Sequence, residues 1–126
     1  MRPTDEALVS AARQAKEKAY APYSNFSVGA AVDGDDGKVY TGCNVENGSY
    51  GLTSCAERNA VFAAVAAGCR KIYSVAVVAD EDYTLPCGAC RQVLAEFSAE
   101  RIILTAKDGR YRVVKATELF PQPFSL

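Results

Sequence analysis

The sequence predicts a three-layer α/β/α sandwich built around a central mixed five-stranded β-sheet. Helical and strand-like segments follow one another in the order αββαβαββ, which provides helices for both faces of one sheet. One strand-like segment, residues 71–79, is nearly unbroken apolar sequence, as expected of a central strand that is covered on both faces. These two observations together indicate the fold class.

The first half of the chain contains one predicted helix and a predicted hairpin. The helix is expected over residues 4–20, because apolar side chains recur at three- and four-residue steps and Thr4 or Asp5 can cap it. The proline of "APYSN" ends it. Strand-like runs at 26–32 and 38–45 are joined by "DGDDG", which is typical of a hairpin turn.

The second half alternates between helices and strands. A helix rich in alanine and valine is predicted over residues 55–67, with Gly68 as its stop signal. The apolar strand follows, and Pro86 then precedes another helix, which begins within "PCGACRQVLAEFSAE". The chain continues with a strand pair and a short helix, expected at 101–106, at 111–116 and near "TELF".

The composition is that of a single globular domain, which we expect to span residues 1–126. Hydrophobic residues make up 49% and charged residues 23%, and no repeat or linker divides the sequence. The net charge of −1 and the scattered basic residues argue against a nucleic-acid partner. No apolar run approaches the roughly 20 residues that span a bilayer, and no signal or transit peptide is recognisable. We therefore expect a cytoplasmic protein with reduced thiols and no membrane partner.

Two short motifs lie where a loop enters a predicted helix. "TSCAERNA" places Cys55 at the start of one helix, and "LPCGACRQ" places Cys87 and Cys90 at the start of the other. Residues three positions apart lie on one helix face, so Cys87 and Cys90 can share a metal ion. Helices that follow adjacent strands begin along one edge of the sheet, so we expect Cys55 to complete a set of three sulfurs.

Three protein ligands are typical of a catalytic zinc, because the fourth tetrahedral position stays open. A water molecule at such a position loses a proton near neutral pH. Glu57 follows Cys55 by two residues and can reach that water without binding the metal, as a general acid/base must. The chain contains no histidine, so sulfur must hold the zinc and Glu57 must move the protons.

An all-sulfur site needs positive charge around it, because three thiolates and Zn²⁺ sum to −1. Each helix N-terminus contributes about half a positive charge. Arg58 and Arg91 each follow a motif residue by one position, and we expect both to donate hydrogen bonds to the thiolates.

Other interpretations of the cysteines remain open at this point. Each could be a small buried apolar residue. Cys87 and Cys90 could form a redox pair, although this leaves Cys55 and Glu57 unexplained. A closed structural site would need Cys43 or Cys69 as a fourth sulfur ligand.

Cys69 is a poor fourth ligand, because an intervening helix would hold it roughly 20 Å from Cys55. Cys43 faces away from Asn44 and Glu46 if that segment is extended, since side chains alternate along a strand. We favour an arrangement in which Asn44 and Glu46 face the zinc. Cys43 and Cys69 are then expected to be buried and without a role in metal binding.

The motifs resemble those of a known family. Cys55-Ala-Glu57 followed by Pro86-Cys87-x-x-Cys90 matches the zinc-deaminase signature in its three-cysteine form. With "APYSNFSVGAA" and "GCNVENGSYGLTSCAERNA", the chain is similar to the small homotetrameric zinc-dependent cytidine deaminases from about residue 5 to residue 124. The resemblance implies a cytidine deaminase-like fold, and "NVEN" narrows the expected substrate to free nucleosides.

The resemblance also implies a reaction. Cys55, Cys87 and Cys90 would hold one zinc ion per subunit, and Glu57 would move protons between water, N3 of cytosine and the leaving amine. Cytidine and 2′-deoxycytidine would become uridine and 2′-deoxyuridine with release of ammonia, as in pyrimidine salvage. In this family a cysteine at the first ligand position occurs with an arginine directly after the glutamate, and "CAER" provides Arg58 there.

The substrate would be held by residues from several segments. Asn44 and Glu46 would hydrogen-bond the ribose 3′-hydroxyl, and the backbone N–H of Ala56 would hold the carbonyl oxygen of the base. An aromatic residue of the tail would reach the site of a neighbouring subunit in a homotetramer whose sites lie near the interfaces. The implied substrate-binding residues are Phe26, Asn44, Glu46, Tyr50, Ala56 and Phe124.

Two other functions compete with this one. A deaminase of another heterocycle, such as a blasticidin-type enzyme, would have the same zinc site, but Asn44 and Glu46 have a role only if a sugar is present. A structural zinc module would bind the metal without any turnover. A Glu57→Gln substitution separates a deaminase from a structural zinc module, because a catalyst should keep zinc and lose activity whereas a structural module has no activity to lose.

Overall fold

The computed structural model describes residues 2–126, and the predicted fold is confirmed. Within these residues no helix is long and apolar enough to cross a membrane. A 3₁₀ helix at Tyr50–Leu52 precedes α2. The other elements are α1 (Asp5–Lys16), β1 (Val28–Gly34), β2 (Val39–Cys43), α2 (Ala56–Ala66), β3 (Ile72–Ala79), α3 (Gly88–Glu96), β4 (Arg101–Thr105), β5 (Tyr111–Lys115) and α4 (Ala116–Leu119).

The five strands form one mixed sheet in the order β2-β1-β3-β4-β5. β1 is antiparallel to both β2 and β3, β3 and β4 are parallel, and β4 and β5 are antiparallel. The parallel pair arises because α3 carries the chain from β3 back to the start of β4, which is the usual role of a crossover helix.

Helices cover both faces of this sheet, which gives the three layers. On one face, α1 packs through Leu8 and Ala12 against residues that include Ala31 of β1. On the opposite face, α2 and α3 contribute Val61 and Leu94 to the larger core. β3 is buried at every position except the half-buried Tyr73, as predicted for a strand covered on both faces.

The first helix begins where the sequence indicates and ends four residues earlier than expected. The side chain of Thr4 caps it by accepting a hydrogen bond from the N–H of Ala7 at 3.1 Å. Asp5 is therefore free for a tertiary role, and its carboxylate pairs with the guanidinium of Arg101 in β4 at 2.7 and 2.8 Å. This contact ties the start of α1 to the start of β4.

Close packing of α2 on β2 determines where α2 begins. A Cβ atom at Gly42 would lie 2.5 Å from the backbone nitrogen of Ala60 and 2.6 Å from the carbonyl oxygen of Ala56. Only a glycine allows the helix backbone to approach the strand so closely. The first turn of α2 contains Glu57, and its position is thus fixed by a backbone contact with the sheet.

Candidate active site

The three cysteines of the two motifs come together at two helix starts. The Sγ atoms of Cys55, Cys87 and Cys90 all lie within 4.8 Å of one another. Cys55 is the N-cap residue of α2, Cys87 is that of α3, and Cys90 lies in the first turn of α3. The two helix starts therefore converge, as the positions of the motifs predict.

Asn59 anchors the segment that carries Cys55. Its side-chain nitrogen donates to the carbonyl oxygen of Cys43 at 2.7 Å, and its side-chain oxygen accepts from the hydroxyl of Ser54 at 2.7 Å. Asn59 thereby ties the first turn of α2 to the end of β2 and to the residue before Cys55. We did not predict this role, although a polar residue within the apolar stretch of α2 was a usable signal.

The sulfur arrangement fits a zinc ion. Tetrahedral zinc with Zn–S distances of about 2.3 Å requires sulfurs about 3.8 Å apart. Cys55 and Cys87 have their Sγ atoms 3.8 Å apart. Three sulfur donors at this spacing also match the preference of thiolates for zinc over harder metals. The structure therefore contains a suitable three-ligand site.

Positive charge lies beside these sulfurs. The guanidinium of Arg58 donates to Sγ of Cys55 at 3.3 Å. Hydrogen bonding from the Cys90 thiol and from Arg58 lowers the pKa of Cys55 to about 5. The same contact with Cys55, together with burial, raises the pKa of Cys90. The positive charge of Arg58 thus favours the thiolate form of Cys55.

Arg91 contradicts our expectation, because it does not contact a sulfur. Its Nε atom donates to the carbonyl oxygen of Pro86 at 2.9 Å, and Nη1 donates to that of Leu119 at 2.9 Å. Successive residues of a helix point about 100° apart, so Arg91 leaves α3 in a different direction from Cys90. It ties the loop before Cys87 to the end of α4.

Glu57 lies in the first turn of α2 and is only 5% exposed. Burial, with a smaller contribution from the negative charge on Cys55, raises the pKa of Glu57 to about 7. A carboxyl group with this pKa both accepts and releases a proton near neutral pH. Its environment therefore suits general acid/base chemistry.

A cavity of about 280 Å³ brings the metal-binding and polar residues together. A larger cavity of about 540 Å³ lies among α3, β4, β5 and α4 but has none of the three sulfurs in its lining. We place the candidate site in the smaller cavity, because Cys55, Cys87 and Glu57 line it. It is lined by Ser24, Phe26, Val28, Asn44, Glu46, Thr53, Cys55, Ala56, Glu57, Thr84, Leu85 and Cys87.

Asn44 supports the wall of this cavity opposite the sulfurs. Its side-chain nitrogen donates to the carbonyl oxygen of Phe26 at 2.8 Å, and its side-chain oxygen accepts from the N–H of Val28 at 2.9 Å. The side chain therefore pairs with the backbone just before and at the start of β1, as a neighbouring strand would. This buried contact fixes the position of Phe26.

Glu46 is held by the loop that precedes β1. Its Oε1 atom accepts from the backbone N–H groups of Tyr23 at 2.9 Å and of Ser24 at 3.1 Å. Its Oε2 atom accepts from the hydroxyl of Ser24. The Ser24 hydrogen bond is the main reason that the pKa of Glu46 lies below its ordinary value. The side chain is therefore negatively charged at neutral pH.

The comparisons with known proteins agree with this site. Residues 2–106 match the family model described as the cytidine and deoxycytidylate deaminase zinc-binding region. The chain belongs to the cytidine and deoxycytidylate deaminase family. That family includes a cytidine deaminase of Sporosarcina psychrophila, which is 47% identical over 123 residues, covering 95% of this chain and 90% of the relative.

Solved structures support the same membership. A crystal structure of cytidine deaminase from Burkholderia pseudomallei is 52% identical, covers 97% of this chain and 100% of its own, and superimposes with a TM-score of 0.89. That from Mycobacterium tuberculosis is 41% identical, covers 98% and 100% of the two chains, and has a TM-score of 0.83.

Two predicted substrate-binding aromatics lie outside the sulfur cavity of this deaminase-family chain. Tyr50 is 75% exposed, packs edge-on against Tyr23, and lines an adjacent hollow that also contains Glu46. Phe124 is 71% exposed, and the side chain of Gln92 holds its backbone nitrogen and oxygen at 3.1 and 3.0 Å. Within one chain, Tyr50 therefore lines the hollow next to the sulfur cavity, and its role in substrate binding stays a prediction.

The remaining two cysteines stay outside the metal-binding set. Cys69 is buried, as expected. Cys43 is only half-buried, and its thiol donates to the carbonyl oxygen of Lys18 at 3.5 Å. Among residues 2–126, the only group of cysteine and acidic residues close enough to hold a metal is the set of three sulfurs. A closed four-sulfur site is therefore not formed.

We expect an Arg58→Ala substitution to release zinc faster while the fold is retained. The substitution removes the hydrogen bond to Cys55, and losing a residue that supports a metal ligand weakens binding by roughly 10- to 100-fold. Transfer of zinc to a chromogenic chelator measures the rate, and circular dichroism checks the fold. Arg13→Ala, at an exposed position of α1, is the matched control. An unchanged release rate in Arg58→Ala would contradict this role.

Proposed function

We propose that this protein catalyses the zinc-dependent hydrolytic deamination of cytidine and 2′-deoxycytidine, with uridine or 2′-deoxyuridine and ammonia as products. The observation that carries the proposal is that the cluster of three sulfurs opens, through Cys55 and Cys87, onto a cavity that is also lined by the buried Glu57 and by the polar pair Asn44 and Glu46. The names of the relatives at 47% and 46% identity support the same reaction.

Cys55, Cys87 and Cys90 would hold one zinc ion in each chain. When bound, the ion supplies the Lewis acidity that makes water a nucleophile near neutral pH. The residues around it adjust the charge of the site. Arg58 and the N-terminus of α2 stabilise the negative charge of the sulfur ligands.

Glu57 would carry every proton of the reaction. It takes a proton from the attacking water and delivers it to N3 of the cytosine ring. It then takes the second proton from the oxygen newly bound to C4 and delivers it to the amino group, which leaves as ammonia. Its burial in the cavity keeps both protonation states accessible, because its pKa is about 7. No histidine is present in the chain to share this task.

The remaining cavity residues would orient the nucleoside. Ala56 is the first residue of α2, so its N–H has no acceptor within the helix and is available to the carbonyl oxygen of the base. Phe26 packs against the base. Asn44 and Glu46 bind the 3′-hydroxyl of the sugar, and the negative charge of Glu46 repels a phosphate at that position.

We also propose that four copies of the chain assemble with their sites near the interfaces. Large apolar side chains are exposed around the cavity and on α2, where a neighbouring copy would cover them. Tyr50 and Phe124, which do not reach the cavity of their own chain, would then be available to a neighbour. The exposed set comprises Tyr20, Tyr23, Val45, Tyr50, Leu52, Phe62 and Leu85.

The other parts of the proposal concern domain organisation and cellular context. A single catalytic domain over residues 1–126 is supported by one continuous sheet that carries both hydrophobic clusters. Five unpaired cysteines suit a reducing compartment, which favours the cytoplasm. Deamination of free nucleosides there would serve pyrimidine salvage.

The assembly is tested by light scattering during size-exclusion chromatography. We expect a mass four times that of the 13.5 kDa chain. A Leu52→Glu substitution puts a charge into the exposed apolar set and should give smaller species. Val113→Glu, at an exposed apolar position of β5, should leave the mass unchanged. A wild-type protein that elutes as a monomer at micromolar concentration contradicts the assembly.

The reaction is tested by following the loss of cytosine absorbance with cytidine and with 2′-deoxycytidine. Glu57→Gln should retain zinc and lose activity by roughly 10²- to 10⁴-fold, because an amide of the same size cannot carry the proton. Glu96→Gln, an exposed position of α3, is the control and should retain full activity. If zinc-loaded wild-type protein consumes neither nucleoside, the proposed function is wrong.

A further inference from the structure

Ser24 lies between two residues of the candidate sugar site. Its hydroxyl donates to Oε2 of Glu46 and accepts from the backbone N–H of Phe26 at 3.0 Å. Its own backbone N–H donates to Oε1 of Glu46 at 3.1 Å. Ser24, Phe26 and Glu46 all line the sulfur-containing cavity. One serine therefore contacts both the proposed base-packing residue and the proposed sugar-binding carboxylate.

The direction of these hydrogen bonds follows from the number of protons. A serine hydroxyl carries one hydrogen and two lone pairs. The backbone N–H of Phe26 can only donate, so it occupies a lone pair of the Ser24 oxygen. The single hydroxyl hydrogen is then free for Glu46, whose carboxylate can only accept. The hydrogen bonds therefore run in one direction only, from the N–H of Phe26 to the oxygen of Ser24 and from the hydroxyl of Ser24 to Glu46. The carboxylate of Glu46 is the final acceptor of this series.

This arrangement leaves Glu46 with limited capacity for further partners. A carboxylate offers about four acceptor positions. Three are used by the N–H of Tyr23 and by the N–H and hydroxyl of Ser24. About one position remains for a donor from the cavity, which matches a single sugar hydroxyl.

The backbone conformation of the loop makes the arrangement possible. Asn25, between Ser24 and Phe26, has a left-handed φ of 58°. Asparagine tolerates this conformation better than most residues. The backbone N–H of Asn25 donates to the carbonyl oxygen of Ala21 at 3.0 Å. The resulting tight turn brings the N–H of Phe26 back onto the side chain of Ser24.

We propose that Ser24 is a positioning residue that orients Glu46 so that its remaining acceptor position receives the 3′-hydroxyl of the nucleoside. The role rests on the proposed function, since it concerns the same substrate. In Ser24→Ala, the contact with Asn44 still holds Phe26 through its carbonyl oxygen, and two backbone donors still hold Oε1 of Glu46, but Oε2 is free to turn. The substitution should therefore lower kcat/KM only for substrates that carry the 3′-hydroxyl. The loss of a serine with a merely structural role would lower kcat/KM for all substrates alike.

The test compares 2′-deoxycytidine with 2′,3′-dideoxycytidine, which differ only in the 3′-hydroxyl. We expect Ser24→Ala to lower kcat/KM for 2′-deoxycytidine about 10-fold, the usual effect of a lost hydrogen bond to a charged group. The value for the dideoxynucleoside should change by less than about twofold. Ser24→Thr keeps the hydroxyl and should restore most of the loss. Ser10→Ala, at an exposed position of α1, is the matched control. Equal losses on both substrates would overturn the role of Ser24.

A binding measurement separates this role from the proposed function. Calorimetry of both nucleosides with Glu57→Gln and with Glu57→Gln/Ser24→Ala gives the same comparison without turnover. A Kd difference that depends on both Ser24 and the 3′-hydroxyl supports the positioning role, even if the wild-type protein proves inactive and the proposed function fails. Normal wild-type turnover with no such Kd difference overturns the positioning role and leaves the proposed function intact.

Discussion

The convergence of two helix N-termini on one point is the constraint on which this molecule depends. Cys55 and Cys87 cap α2 and α3, and their sulfurs lie 3.8 Å apart although 32 positions separate them in the chain. Three thiolates on a zinc ion would carry a net charge of −1, which the positive helix ends and the guanidinium of Arg58 offset. Gly42 and Asn59 set the start of α2 by direct contact with β2.

The opposite wall of the cavity depends on polar side chains that replace backbone partners. Asn44 pairs with the backbone at the start of β1, and Glu46 gathers the N–H groups of the preceding loop. Both side chains therefore stabilise the cavity wall through hydrogen bonds to the backbone, in addition to any contact with a ligand. Two walls made in different ways, one from helix starts and one from side chains that hold a loop, enclose a space of about 280 Å³.

Local patterns in the sequence predict most of this structure. The αββαβαββ order and the three sulfurs follow from periodicity and from motifs at helix starts, both of which are short-range signals. The direction of Arg91 and the distance of Tyr50 from the sulfurs depend on the rotation of a helix and on the course of a loop, so motif spacing does not give them. Ser24 and Asn59 escaped prediction because their partners lie 22 and 16 positions away.

X-ray absorption spectroscopy at the zinc edge tests the central claim most directly, because it counts the ligands of the bound metal. For purified protein with one zinc per chain, we expect three sulfurs at about 2.3 Å and one oxygen at about 2.0 Å. That result would mean that the protein leaves the fourth coordination position of the zinc open to water, as the proposed role of Glu57 requires. Four sulfur ligands would mean a closed structural site and would contradict an active site at Cys55, Cys87 and Cys90.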